Sequence, residues 1–430
     1  MRVLMFGWEF PPHISGGLGT ACYGLTKGMA TMDDLEVIFV VPKAWGDEDQ
    51  SMVRLIGANK VPVAYKKIFY KGTRTPIEKI EVFSKIVPYT DPEDFWKRVS
   101  SEVTGHRLFV QTNNTGMVDF SGRYDHNLLD EIYKYSIVAS VIAEENDFDV
   151  IHAHDWLAYP AGIAAMEVSG KPLVIHVHAT DFDRSGGNVN PEVYRIEKRG
   201  MDAASKIITV SNLTRDIVIN KYNINPDKVE TVYNEVEHVE LTENIVVNKG
   251  FDEKVVTFLG RITLQKGPEY FIEAAYKVLK VMDNVRFVMA GSGDMMERMM
   301  RRAASLRITD RFHFTGFLKG MDVYTMLAMS DVYIMPSVSE PFGISPLEAM
   351  QSNVPVIISK QSGVAEILTH AVKTDFWDID AMADAIYGIL NYPALANMII
   401  RNGKEEVVRL KWDNSARHVR DIYERVIWHK

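Results

Sequence analysis

Arg261 and Lys266 stand five residues apart in Gly260-Arg261-Ile262-Thr263-Leu264-Gln265-Lys266-Gly267. Arg offers a planar fork and Lys a point charge, so together they can neutralise a diphosphate without a metal. The bland alternative is two solvated charges in a loop. A second run, Ser339-Glu340-Pro341-Phe342-Gly343-Ile344-Ser345-Pro346-Leu347-Glu348-Ala349-Met350, carries two carboxylates eight residues apart. Glu340 can accept hydrogen bonds from sugar hydroxyls. The loop Phe342-Gly343-Ile344 can offer backbone N–H groups to a phosphate or sugar. Glu348 has two competing readings: it can accept a pair of ribose hydroxyls, or it can close a capping box with Ser345 as N-cap and Pro346 at the first helical position.

In the first half, Ser15-Gly16-Gly17-Leu18-Gly19-Thr20 opens a helical stretch carrying Ala21, Leu25 and Met29. Glycines there let backbone N–H groups approach an anion, and the helix N-terminus adds partial positive charge. The spacing is not the dinucleotide fingerprint, since Cys22 stands where its third glycine would be, and a ligand-free turn is the alternative. Two strand-end clusters follow, His152-Ala153-His154-Asp155-Trp156 and His176-Val177-His178-Ala179-Thr180-Asp181. Alternation aims the two histidines of each cluster to one side. A metal motif would read similarly, but neither a cysteine partner nor an H-E-x-x-H helix accompanies them, and no metal site is expected. Asp181-Phe182-Asp183 is a D-x-D, as are Asp147-Phe148-Asp149 and Asp378-Ile379-Asp380, and three matches in an acidic chain point to chance.

The elements that must hold these residues are short apolar runs alternating with helical stretches. The runs are Val3–Phe6, Val37–Val41, Val150–His154, Leu173–His178 and Ile207–Val210, then Val255–Leu259, Val285–Ala290, Phe312–Thr315, Val332–Met335 and Val356–Ile358. Continuous apolar runs are what strands covered on both faces look like, which implies parallel sheets with helices on each side. Two such series imply two Rossmann-like, doubly wound α/β domains, with ligands beyond the C-terminal strand ends. The polar stretch 238–250 marks the boundary: 1–240 forms the first domain and 241–412 the second. Residues 413–430 read as an amphipathic helix with Ala416, Val419, Tyr423 and Val426 on one face, capped by Asp413 or Asn414. Residues 50–125 read as an elaboration of the first domain to which no chemistry is assigned.

The 430 residues exceed one compact core, and a net charge of −9 disfavours nucleic acid as a partner. A single cysteine, Cys22, and the lack of a signal-peptide pattern at the N-terminus suit a cytoplasmic protein. No apolar run of about 18 residues is present, so no membrane-spanning helix is expected. The sequons Asn113-Asn114-Thr115 and Asn212-Leu213-Thr214 carry no meaning without secretion.

Taken together, these motifs resemble the retaining glycosyltransferases of the GT-B fold, nearest to the glycogen (starch) synthase group of families four and five. The resemblance spans nearly the whole chain and implies that the helix of residues 413–430 crosses back to the first domain. Its carriers are Gly7-Trp8-Glu9-Phe10-Pro11-Pro12 with Gly16-Gly17-Leu18-Gly19, then His154-Asp155-Trp156, Arg261 with Lys266, and Glu340 through Glu348. The resemblance implies that Gly16, Gly17 and Leu18 close over the donor phosphates, and that Arg261 and Lys266 hold the diphosphate. Glu340 would contact the sugar hydroxyls, Phe342, Gly343 and Ile344 would support the sugar by backbone, and Glu348 would hold the ribose. His178 would sit at the reacting centre and Asp155 would orient donor or acceptor. Asn234-Glu235-Val236-Glu237 departs from the family's N-G-v-[DE] pattern, and Thr374-Asp375-Phe376 from its N-G-L-L-V run. The implied donor is UDP- or ADP-glucose, the acceptor a glucan or other glycan, with no metal cofactor and an oligomer allowed. Other readings stay open: a different family-four transferase, a silent nucleotide-sugar-binding protein, and a GT-B epimerase or phosphorylase, for the last of which no Schiff-base lysine is evident.

Overall fold

The computed structural model describes residues 1–13, 16–63, 81–82, 108–109, 116–122, 124, 128–237 and 249–428. The first Asn sequon and most of the 238–250 boundary lie outside them.

All ten apolar runs form strands. In chain order these are β1 (Arg2–Phe6), β2 (Glu36–Val41), β3 (Arg54–Gly57), β4 (Glu81–Val82), β5 (Leu108–Phe109), β6 (Val150–His154), β7 (Leu173–Val177), β8 (Lys206–Thr209) and β9 (Val229–Thr231). They continue with β10 (Lys254–Leu259), β11 (Val285–Ala290), β12 (Phe312–Gly316), β13 (Val332–Met335), β14 (Val356–Ser359) and β15 (Val372–Thr374). Seven strands make one sheet in the order β3-β2-β1-β6-β7-β8-β9, and six make another in the order β12-β11-β10-β13-β14-β15. Neighbouring strands in both are parallel. β4 and β5 form a small antiparallel pair. The molecule therefore has the two Rossmann-like parallel-sheet domains that the two series of apolar runs implied.

The strand order reverses direction between β1 and β6 in the first sheet and between β10 and β13 in the second. At such a switch point the loops on either side diverge and leave a crevice. The strands that flank it, β1, β6 and β13, are almost wholly buried because helices cover both faces.

The C-terminal helix, Trp412–Trp428, lies on the first domain. Trp412, Ala416, Val419, Ile422 and Tyr423 share a buried cluster with Val3, Met5, Cys22 and Leu25. The first helix, Gly17–Met29, allows this by two glycines one turn apart. A Cβ at Gly24 would stand 2.2 Å from the Trp412 ring, and one at Gly28 would stand 2.6 Å from the Trp412 carbonyl. The capping expectation is corrected: the helix begins at Trp412, so Asp413 and Asn414 both lie in its first turn.

Candidate active site

The second domain supplies one wall at its switch point. β10 ends at Leu259, and the chain turns through Gly260 at φ +155 into exposed Arg261, whose Nη2 donates to Gln265 Oε1 at 3.4 Å. A short turn, Leu264–Lys266, ends in Gly267 at φ +65. A Cβ on Gly267 would stand 2.1 Å from the Pro336 carbonyl oxygen, so only glycine lets this loop lie against the loop after β13. That contact brings Lys266 to Glu340, and the two form an ion pair. Ser337 Oγ donates to the same carboxylate oxygen at 3.3 Å.

Glu340 and the residues after it are held by the loop after β14. Glu340 N donates to the Gln361 carbonyl at 2.9 Å, Gly363 N to that of Glu340 at 2.9 Å, and Val364 N to that of Phe342 at 2.8 Å. Gly343 takes φ +101. The N–H groups of Phe342, Gly343 and Ile344 donate to no acceptor among the described residues, so they are free for a ligand. Phe342 is buried, while half-buried Ile344 touches the core clusters of both domains.

The capping-box reading of Ser345 and Glu348 is overturned. Ser345 is already helical, in the helix Ser345–Gln351, and its hydroxyl bonds Tyr333 OH at 2.9 Å. Tyr333 sits on β13 directly beneath that helix and captures the hydroxyl the cap would have used. Glu348 takes no hydrogen bond on its carboxylate among the described residues, and burial pushes its pKa up to about 7.

The first domain supplies the facing wall. Gly16 precedes the first turn of the helix Gly17–Met29, and among the described residues no side chain caps it and its leading N–H groups find no acceptor. A Cβ on Gly16 or Gly17 would meet nothing within 4 Å. Internal packing therefore gives no reason for glycine at either position, whereas close approach of a ligand does. Leu18 is half-buried on the same cluster that Ile344 touches.

At the ends of β6 and β7, the register sets His154 opposite His176. His154 Nδ1 and His178 Nε2 share a hydrogen bond of 3.0 Å. Burial, then the nearby Arg184 charge, lower the pKa of His178 to about 3, so it is neutral at physiological pH. Asp155 adopts a left-handed backbone at φ 62, uncommon for a non-glycine residue and held here by its surroundings. Its carboxylate accepts from Arg184 Nη2 at 2.5 Å and Ala179 N at 3.5 Å. Burial raises its pKa, against the pull of Arg184. Arg184 also pairs with Glu197 at 3.3 Å.

Arg184 and Glu197 were not singled out in the sequence, where an arginine in a five-residue helix, Asp181–Ser185, carries no signal. That helix touches the second domain. Asp183 accepts from Ser339 Oγ at 2.6 Å, and a Cβ on Gly186 would stand 3.1 Å from Leu264. Asp183 also bonds Thr180 N at 2.8 Å, Asp181 bonds Asn190 N at 2.5 Å, Asp149 bonds Arg2 N at 2.8 Å and Asp378 bonds Ala381 N at 3.0 Å. Each D-x-D thus has a structural occupation. Gly291-Ser292-Gly293 was also passed over, although a G-x-G directly after β11 was a readable signal. A Cβ on Gly291, at φ +148, would stand 1.8 Å from the Gly260 carbonyl oxygen, so this loop braces the Arg261 turn.

The family model described as Glycosyltransferase Family 4 matches residues 106–239, and that described as Glycosyl transferases group 1 matches residues 242–406. An uncharacterized glycosyltransferase of Methanocaldococcus jannaschii is 27% identical, covering 98% of each chain. A glycogen synthase of Mycobacterium tuberculosis is 21% identical over 98% of this chain and 94% of its own. The structure of Anabaena HepE in complex with UDP-glucose superposes with a TM-score of 0.65 at 16% identity, covering 99% of each chain. Among the described residues no helix is long and apolar enough to cross a membrane. Family models of glycosyltransferases match both halves, and the two parallel sheets align with solved GT-B structures over the full length: the chain is a glycosyltransferase of the GT-B fold.

Proposed function

We propose that this chain is a cytoplasmic, retaining glucosyltransferase that moves glucose from UDP- or ADP-glucose to the non-reducing end of an α-1,4-glucan. The observation that carries the reading is the meeting of Lys266 and Glu340 beside exposed Arg261, at the switch point of the second sheet. A cation for the diphosphate and a carboxylate for the sugar hydroxyls thereby lie next to one another, as they do in a sugar diphosphate. Arg261 and Lys266 supply the positive charge and the unsatisfied N–H groups at Gly17 add to it, so transfer runs without a metal in the cleft. The free N–H groups of Phe342, Gly343 and Ile344 support the donor, and Glu348 receives the ribose.

Retention places the acceptor hydroxyl on the face the diphosphate leaves. The bond from acceptor oxygen to the anomeric carbon forms as the carbon–phosphate oxygen bond breaks, and the hydroxyl proton passes to the departing phosphate oxygen. Neutral His178 lines the reacting centre, with Asp155 fixing the turn beside it. Catalysis is then positioning and charge stabilisation.

Radiolabelled UDP- and ADP-glucose, each offered with glycogen, with lipid-linked acceptors and with small sugars, test this reading. Elongated glycogen with α linkages by NMR is the expected product. A β-linked product overturns retention, transfer to another acceptor overturns the glucan assignment, and donor binding without turnover on any acceptor leaves a silent binding protein. Chelator added at assay time should leave the rate unchanged.

A further inference from the structure

Behind the cleft, strand alternation turns His152 and His154 to one face of β6, and the register of β6 with β7 brings His176 beside His154 on that face. The helices Gly17–Met29 and Trp412–Trp428 cover it. Ring centroids are 4.2 Å apart for His152 and His154, 5.3 Å for His154 and His176, and 5.4 Å for His152 and His176. One nitrogen from each ring lies within 4.8 Å of the other two. All three side chains are at most 2% exposed.

The hydrogen bonds of the cluster are incomplete in a telling way. His152 Nδ1 bonds Tyr423 OH, and His154 Nδ1 bonds His178 Nε2. The remaining Nε2 atoms of His152 and His154, and both ring nitrogens of His176, are buried with no partner among the described residues. Unpaired buried polar atoms are destabilising, and four gathered in one place call for an occupant. Burial also holds the three imidazoles neutral, each with a lone pair to give.

We propose that His152, His154 and His176 bind one transition-metal ion of the zinc type, as a structural centre between the first sheet and the C-terminal helix. Three neutral imidazoles select zinc, cobalt, nickel or copper over magnesium or calcium, which prefer oxygen. A His-x-His on one strand with a third histidine on its neighbour is a geometry that three-imidazole zinc sites can use. Ligating imidazoles ordinarily have their second nitrogen hydrogen-bonded, which fixes tautomer and orientation, and Tyr423 and His178 do this for His152 and His154. Binding turns the rings of His152 and His176 out of their near-parallel stacking, 5° between planes, and draws the three nitrogens to about 2.0–2.1 Å from the ion. Enclosure by two helices gives the ion a structural role, tying the helix that carries Tyr423 to the sheet. It adjoins the reacting centre through the His154–His178 hydrogen bond but does not rest on the donor assignment.

The full chain, unfolded in chelator and refolded with or without Zn²⁺, then desalted, tests this by elemental analysis and thermal melting. The expected result is about one zinc per chain and a higher melting temperature with zinc than without. Cobalt(II) refolded into the wild type should give the intense visible absorption of a four-coordinate site. His176→Leu keeps an apolar side chain of similar volume but no ligand atom, and should hold less than about a tenth of an equivalent and lose the zinc-dependent melting shift. His13→Ala breaks the His13, Asp47 and Glu48 group at the surface, one competing binder, and should keep both. Wild-type protein that retains no zinc and melts identically with and without it overturns the proposal. So does zinc that persists in His176→Leu, whether His13→Ala loses it, which assigns it to the His13 group, or keeps it, which leaves Cys22, His154 and His178 as its holders.

Discussion

Lys266 and Glu340 hold one another in a half-buried pair, and the entering diphosphate must share or replace that bond. Lys266→Ala should therefore cut kcat/KM by orders of magnitude, a loss of about 2–4 kcal/mol in transition-state stabilisation. The same change leaves Glu340 buried without its cation, so a melting curve must accompany the kinetics. A well-folded variant with near-normal kcat/KM contradicts the clamp. Glu348 lends itself to calorimetry. Its pKa of about 7 means it is largely protonated below neutral pH, whereas ribose hydroxyls donate to the ionised form. UDP or ADP affinity should rise between pH 6 and 8, and Glu348→Gln should both weaken binding and flatten that rise relative to wild type. Equal affinity and equal pH dependence in the two proteins would remove Glu348 from the ribose.

Among the elements, the C-terminal helix joins the domains most visibly. Besides its apolar face, Ser415 Oγ donates to the Tyr233 carbonyl at 2.8 Å, His418 meets Glu230 at 2.7 Å and Arg420 meets Asp34 at 2.5 Å. Deleting residues 413–430 bares an apolar face of the first domain and should lower stability and activity together, read by melting and by transfer. The segment after β9 carries a pH signature beside that helix. Glu235 is buried, its Oε2 has no partner among the described residues, and burial raises its pKa to about 8 although Ser415 opposes the shift. A carboxyl raised in the folded state keeps its proton there while the unfolded chain loses it. Stability contributed by the group is whole below about pH 4.5 and is lost as pH rises toward 8, at up to about 1.4 kcal/mol per unit. Glu235→Gln should remove that part of the slope from a melting series over pH 5 to 8. An unchanged slope would place Glu235 in a wetter setting than its burial implies.

At the scale of the whole molecule, the proposed donor site is completed by neither domain alone. Gly16, Gly17, Leu18, Asp155 and His178 come from the first, and Arg261, Lys266, Glu340 and Glu348 from the second. The domains already touch. Glu366 accepts from Asn212 N at 2.9 Å and Leu213 N at 2.8 Å, and Asp183 takes Ser339. A donor held by both walls should favour a more closed arrangement. Small-angle scattering with saturating donor should show a smaller radius of gyration than without. No change at saturation would mean that the cleft is preformed.

The sequence by itself determined the nine inner strands, because a strand buried on both faces must be apolar throughout, and that requirement is local; the tenth run, β12, is an edge strand with alternate residues exposed. It also marked the glycine turns, the Glu340 to Glu348 run and the apolar face of the last helix. It did not mark β3, β9 and β15, edge or near-edge strands of three or four residues whose partly exposed side chains leave no continuous run. Tertiary structure alone decided the pairings. Lys266 finds Glu340 because β10 lies beside β13, His154 meets His176 and His178 through the β6–β7 register, and Arg184 reaches Asp155 across a turn. Ser345 loses its capping role to Tyr333 for the same reason. Propensity and period act within a few residues, whereas strand order and register choose partners many residues away.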